Sequence, residues 1–250
     1  MTLPLGAVGT TMLAGVRIAA FLSVAPPFAH RAIPARVRVI LALGLALAVS
    51  PRLGAATTTG TAAFLVDLVL QALAGAALGF LVHLVFAAVE AAGSTLDLFG
   101  GFQLGSAFDP LSMSGGAYFS RLFQMLALVL LMVSDGHHLV LGGLVRSFEA
   151  LPLGTAPDAA ALAASATERL TDMVVAALQI AGPLVVVLFL ADVGLGLLTR
   201  VAPALNAFAL GFPLKVLLAI SLAGLALLTL PNVVASLTGD AVTAVRDVTS

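Results

Sequence analysis

The feature that most constrains this chain is an interruption. Gly100 to Ser120 reads GGFQLGSAFDPLSMSGGAYFS and lies between two long apolar segments. It holds five glycines, one proline, four serines and a single charge, Asp109. Glycine and proline are poor helix formers, so the flanking helices are expected to stop here. Ordinary exposed loops are polar, yet this one carries Phe102, Phe108, Leu111, Met113 and Phe119, with Phe99 at its edge. Irregular backbone is tolerated at membrane depth only where protein buries it or where it lines a wet cavity. A pliable backbone with apolar side chains can fill a pore and withdraw from it. The plainer reading is a buried connecting loop, since loop chemistry by itself specifies no function.

Membrane depth is the relevant setting because 61% of the residues are hydrophobic and only 9% are charged, with a mean hydropathy of +1.16. Soluble domains are typically ~45–50% apolar and ~25% charged. The solvent around much of this chain must therefore be lipid or partner protein. A formal net charge of −1 argues against a nucleic-acid footprint. The chain contains no cysteine, which excludes disulfides, thiolate metal sites and cysteine nucleophiles. It has no tryptophan and one tyrosine, Tyr118, so the usual interfacial aromatic belt is poorly supplied.

Leu3 to Phe28 reads as a retained apolar helix containing Arg17 and ended by Pro26-Pro27, because proline removes a donor and clashes with the preceding turn. Pro34 fits the first turn of a second helix, about Pro34 to Val49. The charge-free part of that helix, Val39–Val49, is too short to span a bilayer, which needs ~20 apolar residues. A hairpin that does not fully cross follows. Thr57 to Gly60 reads as a turn and Ala62 to Phe99 as a long helix. In it Gly75 and Gly79 form a small-xxx-small pair that admits a close neighbour.

His83, Glu90 and Asp97 follow at intervals of seven, hence on one face, with Asp67 further up. Such a stripe is costly in lipid and should face a bundle interior or water. It reads either as a proton relay or as a set of interhelical hydrogen bonds and assembly contacts.

Phe119 to Ser134 reads as a helix ending at Asp135, Gly136, His137 and His138. Adjacent helical positions point about 100° apart and zinc commonly takes three or four well-placed ligands, so no metal site is expected there and Gly136 is read as a helix end. A helix follows over Leu139 to Ala150. After a polar run, in which Ser165 to Asp172 looks like an exposed helix start, Met173 to Ala191 is uncharged, with a kink expected at Pro183. Asp192 and Arg200 lead to Pro203, and Ala204 to Leu230 returns as the second arm of a long hairpin. Lys215 within that arm needs a carboxylate, a carbonyl or water.

No P-loop, GxGxxG after a strand, HExxH or GxSxG is present, and no nucleophile is placed beside a base. No cofactor is implied. Passage, sealing or assembly accounts for the chain better than an enzyme does.

Several motifs together resemble one family. RIAAFLSVAPPFAHRAIPARVRVILALGLALAVSP (Arg17 to Pro51) is similar to the N-terminal signature of the flagellar export-gate family FliR. The likeness continues in EAAGSTLDLFGGFQLGSAFDP (Glu90 to Pro110), DGHHLVLGGLVRSFEALPLG (Asp135 to Gly154) and DVGLGLLTRVAPALNAFALGFPLK (Asp192 to Lys215), in order over essentially the whole chain.

The resemblance implies an all-α, membrane-associated fold of helical hairpins. A FliP-like unit with the plug loop (1–155, the loop at about 100–120) is fused to a FliQ-like hairpin and tail (156–250). It implies a non-enzymatic core subunit of the flagellar type III protein export gate, in a helical hetero-oligomer with FliP-like and FliQ-like subunits. FlhB-like and FlhA-like proteins are the implied neighbours, unfolded flagellar substrates the implied cargo, and membrane lipid the surroundings. The implied location is the bacterial inner membrane, in the flagellar basal body. Carried over by motif, the plug comprises Phe108, Asp109, Pro110, Leu111, Ser112, Met113, Ser114, Gly115 and Gly116. Arg17, His83, Glu90, Asp97, Asp192, Arg200 and Lys215 would then settle contacts between helices and subunits. The rival expectation is a polytopic transporter or channel subunit for a small solute, with His83, Glu90 and Asp97 as its relay.

Overall fold

Each long apolar run becomes a helix, because helical hydrogen bonding satisfies every backbone group within the run itself. A computed structural model describes residues 5–30, 32–54, 60–103, 117–202 and 210–224. Among them are helices and no strand: α1 (Leu5–Val24), α2 (Ala35–Val49), α3 (Thr61–Phe99), α4 (Tyr118–Val133), α5 (Gly136–Ala150) and α6 (Ala159–Val201). A shorter apolar helix, α7, covers Leu210–Gly224. By length and composition, Gly6–Val24, α3 and α6 can each cross a membrane, and α4 with α5 adds a fourth span if the pair counts as one. The expected plug residues Phe108 to Gly116, the turn at Thr57 to Thr59, the turn at Pro203 and the tail from Pro231 lie outside the described residues.

Local chemistry sets most boundaries. α1 stops just before Pro26-Pro27. Pro34 is the residue immediately preceding α2, with φ −59° and ψ 145°, so it introduces the helix from outside the first turn. Arg38 then folds back over the connection, donating to the carbonyls of Phe28 (3.0 Å), Ala29 (3.4 Å), His30 (3.1 Å) and Ile33 (3.1 Å). α5 starts at Gly136, earlier than the sequence indicates, after Asp135 adopts a left-handed conformation (φ 55°). α6 also starts early, at Ala159, where the Asp158 carboxylate accepts the backbone N–H groups of Ala160 (2.9 Å) and Ala161 (3.4 Å). It continues through Pro183 for 43 residues.

Contacts group the chain into two units. The first takes residues up to Val85 together with Leu131–Leu170. Its core is Leu13, Ile18, Phe21 and Leu22 of α1, Ala42 and Ala46 of α2, Leu78 and Val82 of α3, and Val140, Leu144 and Phe148 of α5. α3 meets α1 through its glycine pair. A Cβ on Gly75 would collide with the main-chain carbonyl of Arg17, and one on Gly79 would lie 2.9 Å from the carbonyl oxygen of Phe21. The second unit takes Phe86–Leu130 and Thr171–Ala235. Within it the C-terminal part of α3 packs on α4, and Gly93 is a point of close backbone approach.

α2 is 15 residues long, about 22 Å at ~1.5 Å per residue against a hydrocarbon core of ~30 Å. Its Val39, Ile40, Leu43 and Leu47 are exposed. The short arm therefore displays apolar side chains without the length to cross a bilayer.

Gly75→Ala is expected to lower stability by ~1–3 kcal/mol, because its neighbour is backbone and cannot turn aside. Gly44→Ala, where an added methyl meets nothing within 4 Å, should be neutral or gain up to ~1 kcal/mol. Thermal unfolding of the detergent-purified protein reads the difference.

Candidate functional site

Among the described residues, polar side chains of this apolar chain gather at several places, and three of these join one helix to another. The first surrounds Arg17, whose side chain is wholly buried in the first unit. Its Nε donates to Oε1 of Gln71 (2.6 Å), one Nη to the carbonyl of Ser147 (3.1 Å) and the other Nη to the carbonyl of Leu151 (2.8 Å). The guanidinium carbon lies 4.3 Å from the ring centroid of Phe148. Ser147 and Leu151 belong to the last turn and C-cap of α5. Carbonyls left over at a helix C-terminus carry about half a negative charge. The cation is thus met by a helix end, an amide and a ring face. Asp67 and Gln71, one turn apart on α3, each keep one buried atom without a hydrogen-bond partner, Oδ2 and Nε2.

The second place joins α3 to α4 in the second unit. Asp97 is buried, and its carboxylate accepts the backbone N–H of Phe119 at Oδ1 (2.9 Å) and of Ser120 at Oδ2 (3.0 Å). These are two of the N–H groups that open α4 and have no partner inside it. A carboxylate at a helix N-terminus also opposes the positive end of its dipole. Gly93, one turn earlier, brings the chains together: a Cβ there would sit 2.6 Å from the Phe119 carbonyl oxygen and 2.7 Å from the Ser120 Cα. Further along, Glu90 Oε2 accepts from Gln124 Nε2 at 3.2 Å. Phe102 stands edge-on to Tyr118 (6.1 Å) and Phe119 (5.2 Å).

The third place joins α6 to α7. Lys215 Nζ lies 2.6 Å from Asp192 Oδ1, with both side chains partly exposed. Gly211 faces Leu195 across the same pair. The residue pairs 192/215 and 195/211 converge toward position 203, which makes the two helices the antiparallel arms of a hairpin.

His83 is exposed, Glu90 half-buried and Asp97 buried, so the heptad stripe does not share one environment. A helix of 39 residues outlasts any one neighbour, and even spacing secures a common face but not a common surrounding. Asp97 moreover has both oxygens hydrogen-bonded to backbone donors of α4. Arg200 is exposed near the end of α6, where a cation suits the negative end of the dipole.

Asp135, His137 and His138 bring one potential ligand atom each within 4.8 Å of one another. The two rings lie 4.1 Å apart at 36°, closer to stacked than a 100° separation implies. Asp135 Oδ1 is 3.6 Å from His138 Nδ1. Zinc holds nitrogen and oxygen ligands at ~2.0–2.2 Å, so this group would have to tighten to hold an ion.

Gln71, Gly93, Arg38 and Gln124 are contacts that sequence reading passed over. Two of them had a signal. Gln71 stands one turn before Gly75, and Gly93 one turn before Asp97. In each case a residue that lets a helix come close adjoins one that hydrogen-bonds to it.

Compared with known proteins, residues 8–241 match the family described as bacterial export proteins, family 1. The chain is 35% identical over 208 residues to the flagellar biosynthetic protein FliR of Escherichia coli (strain K12), covering 83% of this chain and 80% of that protein. It is 31% identical over 209 residues to the FliR of Bacillus subtilis (strain 168), covering 82% and 81%. It is also 30% identical over 150 residues to the surface presentation of antigens protein SpaR of Shigella flexneri, covering 60% and 58%.

Arg17→Met is expected to cost several kcal/mol, since it strands the Leu151 carbonyl and the Gln71 amide at ~1–3 kcal/mol each. Arg17→Lys should recover only part, because a single ammonium cannot span three divergent acceptors. Exchanging the charges of Asp192 and Lys215 should change stability by less than ~1 kcal/mol, as for other partly exposed pairs. Each is read by thermal melting beside the unmodified protein.

Proposed function

The chain belongs to the bacterial export proteins, family 1, and on that premise we propose that it is a non-enzymatic core subunit of a flagellar type III protein export gate. In this reading it lies in the bacterial inner membrane at the flagellar basal body and helps to form the channel for unfolded export substrates. Its partners are FliP-like and FliQ-like subunits, with FlhB-like and FlhA-like proteins beside them. Residues 1–155 act as the FliP-like part and 156–250 as the FliQ-like hairpin and tail. Phe108 to Gly116 serve as the channel plug. Arg17, Glu90, Asp97, Asp192, Arg200 and Lys215 serve contacts within and between subunits.

The similarity along residues 8–241 carries the reading. The geometry agrees with it at α2, whose exposed apolar side chains on a helix too short for a bilayer call for neighbouring helices of protein. α6 agrees as well: Val174, Leu178, Val186, Phe189 and Leu190 are exposed along it. The rival relay through His83, Glu90 and Asp97 gains no support, because Asp97 is engaged with α4 and His83 stands apart on the surface.

Two experiments test the proposal. Affinity purification from a flagellated host should bring down helical partners of FliP-like and FliQ-like size in fixed proportion, whereas a chain recovered alone and fully dispersed would count against it. Deleting Leu111 to Gly116 should raise ion leakage through the assembled complex. An unchanged leak would reduce that segment to a connecting loop.

A further inference from the structure

The start of α5 gathers three side chains to which the export-gate reading gives no part. Asp135, His137 and His138 each bring one ligand atom within 4.8 Å of the other two. Asp135 immediately precedes α5, and its side chain makes no capping hydrogen bond to the helix, although aspartate in that place ordinarily accepts from the first turn. Its Oδ1 lies instead 3.6 Å from His138 Nδ1. The His138 N–H donates to the Asp135 carbonyl (3.0 Å), so the backbone holds both residues in one turn. His137 is half-buried, and its Nδ1 is buried with no hydrogen-bond partner among the described residues. Buried polar atoms are ordinarily paired, and a ring with an unpaired nitrogen has one bond fewer to give up on taking a metal. Adjacent helical residues part by about 100° at Cβ, but here the rings further out have come together, 4.1 Å apart at 36°.

We propose that Asp135, His137 and His138 form a binding site for a divalent transition metal, with zinc(II) the ion that fits the donor set. Two imidazole nitrogens and one carboxylate oxygen suit zinc, whereas calcium and magnesium take oxygen ligands. In a tetrahedral zinc site the ligands, at ~2.0–2.2 Å from the ion, stand about 3.3 Å from one another. Asp135 and His138 are close to that already, at 3.6 Å. The widest separation, 4.8 Å or less, has to close by about 1.5 Å or less. Asp135 and His138 can make that movement, because their side chains are 80% and 71% exposed. His137, half-buried, is the fixed member. One ion in this place would brace the residue before α5 to the first turn of the helix. Three protein ligands leave a further position for water. The site is independent of the export-gate reading, since it uses none of the residues on which that reading relies.

Calorimetric titration of zinc(II) into the detergent-purified full chain tests this. The affinity tag must be free of histidine, because the chain itself has only four. One zinc(II) should bind per chain, magnesium(II) should not compete, and X-ray absorption of the zinc-loaded protein should show two imidazole ligands. His138→Gln should weaken binding at least about tenfold, since even the outer partners of a bound metal are worth that much. Asp135→Asn should weaken it several-fold. The His30→Gln, His83→Gln double variant removes the other histidines and should bind as the unmodified protein does. Absence of binding, fewer than two imidazoles or equal binding of magnesium overturns the proposal. So does an affinity that His138→Gln leaves unmoved, or a site lost with His30 and His83 instead. If His138→Gln does not fold, the imidazole count in the His30→Gln, His83→Gln background decides, because only His137 and His138 remain there: two support the site and fewer overturn it.

Discussion

A guanidinium buried with no carboxylate against it among the described residues needs another source of negative potential, and the first unit is arranged to supply one. The C-terminal end of α5 points the carbonyls of Ser147 and Leu151 at Arg17, Gln71 adds an amide oxygen from α3, and Phe148 covers the cation with a ring face. An uncompensated charge in an apolar interior costs several kcal/mol, so these partners must be in place together. That requirement ties α1, α3 and α5 at a single point. It also accounts for the glycine at position 75: α3 must come within backbone contact of Arg17 for Gln71 to reach it.

The second unit repeats the device with the opposite sign. There a buried anion, Asp97, meets the positive end of a helix, and Gly93 provides the close approach. Where few charges are available, helix termini take the part that counter-ions play elsewhere, because their unpaired N–H and C=O groups are fixed dipoles that cannot be avoided. The ion pair of Lys215 with Asp192 is a conventional case, and it stays partly exposed.

The two long helices α3 and α6 each contribute to both units. A helix of 39 or 43 residues passes through several surroundings, so one pattern along its length cannot predict a common role for every polar residue on it. His83, Glu90 and Asp97 show this directly. Their spacing is regular, yet one is exposed, one shares a hydrogen bond with Gln124 and one caps α4. Spacing reports angle about the axis; burial depends on what else has arrived there.

The sequence by itself determined the helical class, the stops of α1 before Pro26 and of α3 before Gly100, the shortness of α2, the close-approach pair Gly75 and Gly79 and the family resemblance. All of these are local or compositional: proline and glycine act on their own backbone, and too few polar groups exist to clothe a soluble surface. Only the tertiary structure decided that Arg17 would face a helix end, that Asp97 would cap a helix 22 residues later, and that Lys215 would find Asp192. Those choices depend on which carbonyl or N–H is brought near from a distant part of the chain. A side chain in sequence carries its charge with it, but its partner is set by packing.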